Sequence, residues 1–238
     1  MRCRRQPPCW RARFADDWWL MSHADLMQPV GLLLAGGRGS RFDSSGHLDK
    51  LLARVQGEPV CLRAAQTLKQ VCPTSFAVLP PDKPALLHLL AQSGCEPLVS
   101  DATRLGMGHS IAVGAARILE KCGPRPVVLA LADMPHVQPG TIRALIAQLG
   151  KDTLSVVAPT FGQRRGHPVV FGAGHLPSLA QLAGDRGAFA LLQHYPPRLL
   201  EVSDPGVLQD IDTQDDLTAF ATDDTMDRRR DTPERHQP

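Results

Sequence analysis

The segment Val30-Gly31-Leu32-Leu33-Leu34-Ala35-Gly36-Gly37-Arg38-Gly39-Ser40-Arg41-Phe42 joins an unbroken apolar run to a glycine-rich, basic turn. Such an apolar run is typical of a strand buried on both faces of a parallel sheet. Three glycines in four residues allow unusual backbone angles and close approach of a ligand to the main chain. Successive backbone N–H groups and two arginines suit an anion, and Lys50 supplies a further positive charge. The segment therefore predicts a strand that ends at a polyphosphate site.

Two common phosphate-binding motifs do not match this turn. The P-loop requires a Gly-Lys pair, which residues 36–42 lack. The dinucleotide fingerprint requires a third glycine where Phe42 stands, and it requires an acid after the second strand, where two prolines follow instead. A glycine-rich surface turn is the alternative interpretation. It does not explain why three basic side chains gather at one strand end.

Composition and charge limit the other classes of function. The 238 residues carry 26 basic and 24 acidic side chains, so bulk charge gives no reason to expect binding to nucleic acid or to a membrane surface. No apolar run approaches the roughly 18 residues that a spanning helix needs. We expect one domain over residues 28–221. Residues 1–27 are expected to be a disordered tail or an over-extended start, with Met21 or Met27 as the first residue, and 222–238 a disordered charged tail.

The cysteines favour a reducing compartment. The chain has six of them, and none forms a Cys-x-x-Cys pair. This scatter argues against a zinc site or a disulfide framework. We therefore expect a cytoplasmic protein.

Short apolar runs alternate with helical patterns along the chain. The runs predict strands at 29–35, 75–80, 95–99, 126–132, 154–160, 168–171 and 198–202. The periodic segments predict helices at 59–71, 82–93, 107–121, 139–149, 174–182, 186–194 and 213–221. This alternation predicts an α/β fold of three layers, a mainly parallel sheet with helices on both faces. Ligands of such sheets bind beyond the carboxyl ends of the strands, near the switch in strand order.

Two acidic segments are candidates for binding a metal. Asp133 directly follows an apolar run, where a carboxylate beside a nucleotide suits Mg²⁺, although it could instead cap the next helix. Asp210 and Asp212 alternate along an extended segment and so point the same way. Thr213 and Asp216 have the spacing of a helix-capping pair and need no other role.

Two further segments combine glycine with polar residues. Gly106-Met107-Gly108-x-Ser110 precedes a predicted helix, where glycines let a ligand reach backbone donors, although the segment could equally be a loop and cap. The turn at 162–168 is basic and contains His167 before a proline. A histidine in that position is often structural.

Taken in order, these motifs resemble the nucleotidyltransferases with a MobA-like domain, which include the molybdenum cofactor cytidylyltransferases and guanylyltransferases. The resemblance spans about residues 30 to 220. It rests on segments 34–42 with 49–52, 106–110, 133–135, 166–171, 184–188 and 210–213. It implies the Rossmann-like fold of these enzymes. Phe189 stands where the family usually has an arginine, so the resemblance implies no arginine contact to the acceptor at this position.

The resemblance also implies the roles of individual residues. Those implied to bind the nucleotide are Leu34, Ala35, Gly36, Gly37, Gly39, Arg41, Lys50, Asp101, Gly106, Gly108 and Ser110. Those implied to be catalytic are Arg41, Lys50 and Asp133. Asp133 and Asp212 are the implied metal ligands, with Asp212 preferred to Asp210. The residues implied to face the acceptor are Gly166, His167, Pro168 and Asp185.

The function implied by the resemblance is Mg²⁺-dependent transfer of a nucleotide from a nucleoside triphosphate to the phosphate of molybdopterin. CTP is favoured and GTP comes next: the opening Leu-Ala-Gly-Gly resembles the guanylyl branch, whereas Gly-Met-Gly-x-Ser and Gly-His-Pro resemble the cytidylyl branch. A molybdoenzyme or its chaperone is a further partner that the resemblance suggests. The alternatives are a sugar-1-phosphate nucleotidyltransferase and a non-catalytic protein that binds nucleotide or cofactor.

Overall fold

The computed structural model describes residues 28–37, 41–43 and 48–217. These ranges include both predicted metal-binding segments and all of the predicted strands. The expected tails at 1–27 and 222–238, the end of the last predicted helix and Gly39 lie outside the described residues.

The centre of the molecule is an eight-stranded, mainly parallel sheet. The described residues form ten strands, of which β2 and β3 lie outside this sheet. They are β1 (Val30–Leu34), β2 (Arg54–Val55), β3 (Glu58–Pro59), β4 (Ser75–Leu79), β5 (Glu96–Val99), β6 (Val127–Leu131), β7 (Val156–Phe161), β8 (Arg164–Arg165), β9 (Val169–Phe171) and β10 (Arg198–Glu201). Their order in the sheet is β10-β7-β9-β6-β1-β4-β5, with β8 paired to β7. β9 runs antiparallel to both of its neighbours, and β2 and β3 form a separate small hairpin.

Helices cover both faces of this sheet. The α-helices are α1 (Val60–Val71), α2 (Pro84–Gln92), α3 (Met107–Cys122), α4 (Pro139–Leu149), α5 (Leu176–Leu179) and α6 (Phe189–His194), and residues 214–217 are also helical. Three 3₁₀ turns lie at Asp101–Leu105, Ala173–His175 and Pro205–Leu208. Across the described ranges, no helix combines the length and the apolar character needed to cross a bilayer.

The side chains of the central strand β1 pack against helices on both faces of the sheet, which gives the fold its three layers. All five of its residues are buried, and its side chains alternate between two hydrophobic clusters. Leu33 packs into the cluster that contains α1, α2 and α4, whereas Leu32 packs into the cluster that contains α3 and α5. Gly114 lets α3 lie close to β1, because a Cβ there would come within 2.2 Å of the Leu32 side chain. The structure confirms the predicted fold class.

The predicted strands all appear, each within about two residues of its predicted ends, but two small hairpins were missed. The β2–β3 hairpin turns at Gln56-Gly57, and the β7–β8 hairpin turns at Gly162-Gln163. All four turn residues have positive φ, which two-residue hairpins commonly require. Neither turn contains the Asn-Gly or Asp-Gly pair that would have marked it in the sequence.

The strand order places a switch point between β1 and β6. From β1 the chain moves outward through β4 and β5 and then returns to the other side of β1 as β6. Parallel strands end at the same edge, so the glycine-rich turn after β1 and Asp133 after β6 lie side by side.

Three cysteines, Cys61, Cys72 and Cys95, are buried in the core, and we predict that these thiols resist labelling. Burial raises the pKa of Cys61 and of Cys72 from 9.0 to about 12. Their thiols therefore stay protonated and unreactive in the folded protein. Mass spectrometry after brief alkylation at pH 8 should find them unmodified until denaturant is added. Rapid modification in the native state would contradict their burial.

The same shifts predict alkaline destabilisation. Each thiol has a higher pKa in the folded state than in the unfolded chain, so it contributes stability below about pH 9 that is lost as the pH rises toward 12. The midpoint of urea unfolding should fall across this range. A C61A/C72A variant, which lacks both groups, should show a smaller fall.

Candidate active site

Lys50 joins the two predicted metal ligands. Its ammonium lies 2.7 Å from Asp133 Oδ2 and 2.7 Å from Asp212 Oδ1, although the two acids are far apart in sequence. The Lys50 side chain is only 9% exposed and each carboxylate 21%. Burial by itself would lower the pKa of Lys50, but Asp133 and Asp212 outweigh it and the pKa is raised. Lys50 is therefore a permanent cation between two carboxylates.

Arg41 adds a second positive charge at the solvent side. Its Nη1 lies 2.7 Å from Asp212 Oδ2, while 79% of its side chain is exposed. The glycine-rich turn thus ends in an arginine that reaches the same carboxylate as Lys50. Such an exposed pair contributes little to stability, so the arginine can exchange this partner for a phosphate at low cost.

Two backbone contacts align the acidic segments. Ala132 N donates to Leu34 O at 3.0 Å, which ties the end of β6 to the end of β1. Ile211 N donates to Asp133 O at 2.9 Å, which places Asp212 beside Asp133. The predicted cap is also present, because Asp216 Oδ2 accepts from Asp212 N at 2.9 Å and from Thr213 N at 2.7 Å.

The buried carboxylate of Asp204 ties the chain that precedes Asp210 and Asp212 to the start of α4. Asp204 Oδ2 accepts from Gln138 N at 2.9 Å and from Thr141 Oγ1 at 2.7 Å, both at the start of α4. Its Oδ1 accepts from Gly206 N at 2.9 Å. Sequence reasoning missed Asp204. Its cap on the turn at 205–208 has a local signal, but its contacts with the start of α4 join distant segments.

Lys83 is another residue that sequence reasoning missed. Its ammonium lies 3.0 Å from Asp49 Oδ2 and 3.4 Å from Gly37 O. It therefore connects the beginning of the glycine-rich turn with the residue preceding Lys50. A lysine at a helix start has no local signal for this role, because both partners come from distant parts of the chain.

A cleft of about 400 Å³ opens beside these charges. Its walls come from the ends of β1 and β6, the start of α3 and the loop at 183–188. The lining residues are Leu34, Gly36, Gly37, Thr103, Arg104, Leu105, Gly106, Met107, Ser110, Leu131, Asp133 and Asp185. Leu34, Gly36, Gly37, Gly106 and Ser110 were predicted to bind nucleotide, and the fold brings them to one cavity.

Three other residues predicted to bind nucleotide lie beside the cleft rather than in its lining. Ala35 is buried and its N–H bonds to Val78 O. Asp101 is exposed and pairs with Arg104 at 3.6 Å. Gly108 packs against the 183–188 loop, since its N–H donates to Gly184 O at 2.8 Å.

The residues predicted to face the acceptor fall in two places. Asp185 lines the cleft, whereas His167 and Pro168 line a separate small cavity on the side of α1 and α4. Gly166 packs against Val207 O so closely that a Cβ would lie 2.1 Å from it. Burial lowers the pKa of His167, with Asp133 acting in the opposite direction, so this histidine is neutral at pH 7.

The donor set fits a hard divalent cation. Asp133 Oδ1 is buried and has no hydrogen-bond partner, although its companion Oδ2 binds Lys50. A buried carboxylate oxygen without a partner is costly unless a cation or water satisfies it. Mg²⁺ typically takes one or two protein carboxylates and completes its shell with phosphate and water. No group of three or more His, Cys, Asp or Glu side chains suited to a metal occurs among the described residues.

Asp210 and Asp212 differ in their surroundings. Asp212 contacts Lys50 and Arg41. Asp210 has a raised pKa, first because it loses contact with water and then because Asp212 and Asp133 lie nearby. The extended segment therefore brings Asp212, and not Asp210, into contact with these two basic side chains.

Three features together are typical of a nucleotidyltransferase. They are a mainly parallel sheet with its switch point between β1 and β6, a glycine-rich turn at that point, and a pair of carboxylates bridged by a lysine. Comparison with known proteins agrees with this class. The chain belongs to the family described as the MobA-like NTP transferase domain, whose model matches residues 31–199.

Two relatives and a third protein with the same fold are similar to this chain. Nicotine blue oxidoreductase of Paenarthrobacter nicotinovorans is 30% identical over 209 residues, covering 83% of this chain and 98% of its own. The crystal structure of Rv0371c from Mycobacterium tuberculosis H37Rv is 28% identical with a TM-score of 0.68, covering 82% and 98%, and a manganese complex of it is also known. Molybdopterin-guanine dinucleotide biosynthesis protein A of Archaeoglobus fulgidus is 18% identical with a TM-score of 0.59, covering 83% and 99%, and shares the fold.

Proposed function

We propose that this protein transfers a nucleoside monophosphate from a nucleoside triphosphate to the phosphate of molybdopterin in a Mg²⁺-dependent reaction that releases pyrophosphate. CTP is the favoured donor and GTP the next. The observation that supports this proposal is the convergence of Asp133 and Asp212 on Lys50 at the edge of the cleft.

The reaction needs positioning and charge compensation more than proton transfer. An oxygen of the acceptor phosphate attacks the α-phosphorus of the triphosphate, and a new P–O bond forms. The bond between the α-phosphorus and the bridging oxygen breaks, and its electron pair leaves with pyrophosphate. Because the acceptor is already anionic, no general base is needed.

Each charged residue then has a distinct task. The backbone of Gly36 and Gly37 faces the triphosphate, and Lys50 and Arg41 neutralise the charge that develops on pyrophosphate. The carboxylates of Asp133 and Asp212 would hold Mg²⁺. When bound, the ion would supply positive charge that stabilises the reacting phosphate.

The identity of the base and of the acceptor rests on the sequence motifs. Gly106–Ser110 and Gly166–Pro168 favour the cytidylyl branch, and Leu34–Gly37 the guanylyl branch. Delivery of the product to a molybdoenzyme or its chaperone, in the cytoplasm, belongs to the same proposal.

The test is pyrophosphate release with CTP, GTP, UTP and ATP in turn, with and without molybdopterin and with and without Mg²⁺. We expect release with CTP, less with GTP, and only when both Mg²⁺ and molybdopterin are present. Release with a sugar 1-phosphate in place of molybdopterin would identify the alternative acceptor. Nucleotide binding without release under any condition would contradict the proposal and favour a non-catalytic protein.

One observation favours a second candidate, an oxidoreductase. The relative that is 30% identical over nearly its whole length carries an oxidoreductase name. Oxidation of NADH or NADPH in the presence of nicotine blue, followed by absorbance, tests this candidate directly. Turnover there, together with no pyrophosphate release, would replace the first proposal.

A further inference from the structure

The loop at 183–188 forms one wall of the cleft and is fixed to the start of α3. Gly184 O accepts from Gly108 N at 2.8 Å, and Gly184 N donates to His109 Nδ1 at 3.0 Å. Gly106 has a φ of 120°, and a Cβ on it would lie 2.2 Å from Asp185 Oδ1. The Asp185 carboxylate therefore packs directly against the glycine backbone at the helix start.

The Asp185 carboxylate is available for a ligand. It is exposed in the cleft and makes no hydrogen bond or ion pair with any other described residue. Two other acids in this region already have a cationic partner: Asp133 is bound to Lys50, and Asp101 is paired with Arg104. An ionised carboxylate accepts hydrogen bonds and donates none, so it selects for O–H or N–H groups and repels phosphate.

The charged groups in the cleft indicate which end suits the phosphates and which suits the nucleoside. Gly37 and Asp133 lie at one end, with Lys50 beside them. That end offers a triphosphate backbone N–H groups and positive charge. Gly106 and Met107 form another part of the lining, and Asp185 lies with them. A bound nucleotide that places its phosphates at the first part extends its nucleoside toward the second.

Building on the triphosphate site in the proposed function, we propose that Asp185 accepts a hydrogen bond from the nucleoside of the bound triphosphate. The donor is either a ribose hydroxyl or the amino group of the base, both of which carboxylates bind in nucleotide sites. This assignment differs from the acceptor role that the sequence resemblance gave to Asp185. It makes Asp185 a nucleoside-binding residue, and one that selects among bases if the donor is the amino group.

Equilibrium binding of CTP, 2′,3′-dideoxy-CTP and UTP to the full-length protein, with Mg²⁺ present, tests the assignment. The Asp185→Ala variant should bind CTP about tenfold more weakly than wild type, the scale of one lost charge-assisted hydrogen bond. If the ribose is the donor, wild type binds dideoxy-CTP weakly and the variant binds it no worse. If the base amino group is the donor, the variant loses affinity for CTP and not for UTP.

Asp152→Ala, which removes an exposed acid outside the cleft lining, is the matched control and should bind all three nucleotides as wild type does. Unchanged nucleotide affinity in Asp185→Ala, with a raised KM for the acceptor, would overturn the inference and leave the proposed function intact. Wild-type protein that binds no triphosphate would contradict the proposed function itself.

Discussion

Replacing Asp133 with alanine is expected to lower the rate of nucleotidyl transfer at least about a hundredfold while the protein stays folded. The change removes the carboxylate whose Oδ1 is buried without a partner and whose Oδ2 binds Lys50. Mg²⁺ would then be held by the Asp212 carboxylate alone. The measurement is pyrophosphate release at saturating triphosphate and Mg²⁺, with thermal unfolding as the check on the fold.

Two further variants make this result interpretable. Asp133→Asn keeps the shape of the side chain and loses its charge, so it should be nearly as inactive as the alanine variant. Glu120→Ala removes an exposed acid that pairs with Arg117 on α3, and it should turn over normally. Near wild-type turnover in Asp133→Ala would remove this residue from the mechanism.

Lys50→Met should lose both activity and stability. Without the ammonium, Asp133 loses its cation and Asp212 keeps only the exposed Arg41. We expect a loss of about 2 kcal/mol in the free energy of unfolding, less than the roughly 3–5 kcal/mol of a fully buried pair because each carboxylate is partly exposed. Since a divalent cation can replace the lost charge, added Mg²⁺ should restore more stability in the variant than in wild type. Urea unfolding with and without Mg²⁺ measures both effects.

An exposed lysine provides the comparison for this experiment. Lys121→Met removes a half-exposed lysine that pairs with Glu96, and it should change neither activity nor the response to Mg²⁺. If Lys50→Met unfolds at the same urea concentration as wild type and responds equally to Mg²⁺, the carboxylates do not depend on Lys50.

The parts of the fold that were predictable carry a local signal. β1 and β6 are continuous apolar runs, and each leads directly into its functional residues, so the glycine-rich turn and Asp133 could be placed at the same sheet edge. The hairpin at Gln56-Gly57 could not be predicted, because its turn residues adopt positive φ without the usual turn chemistry.

The parts of the site that escaped prediction depend on contacts between distant segments. Lys83 contacts Asp49, and Asp204 contacts the start of α4; these partners lie more than 30 residues away, and no spacing rule marks them. His167 and Asp185 were grouped by resemblance as residues that face the acceptor. The fold places them in different cavities, so a motif match gives the order of segments along the chain and not their distances in space.

The most direct measurement is a crystal structure of the protein with Mn²⁺ and a non-hydrolysable CTP analogue. The anomalous signal of the ion should lie within bonding distance of Asp133 Oδ1 and the Asp212 carboxylate, with the triphosphate on Gly36 and Gly37 and Lys50 against a phosphate. An ion or a triphosphate bound away from these two carboxylates would contradict the proposed mechanism.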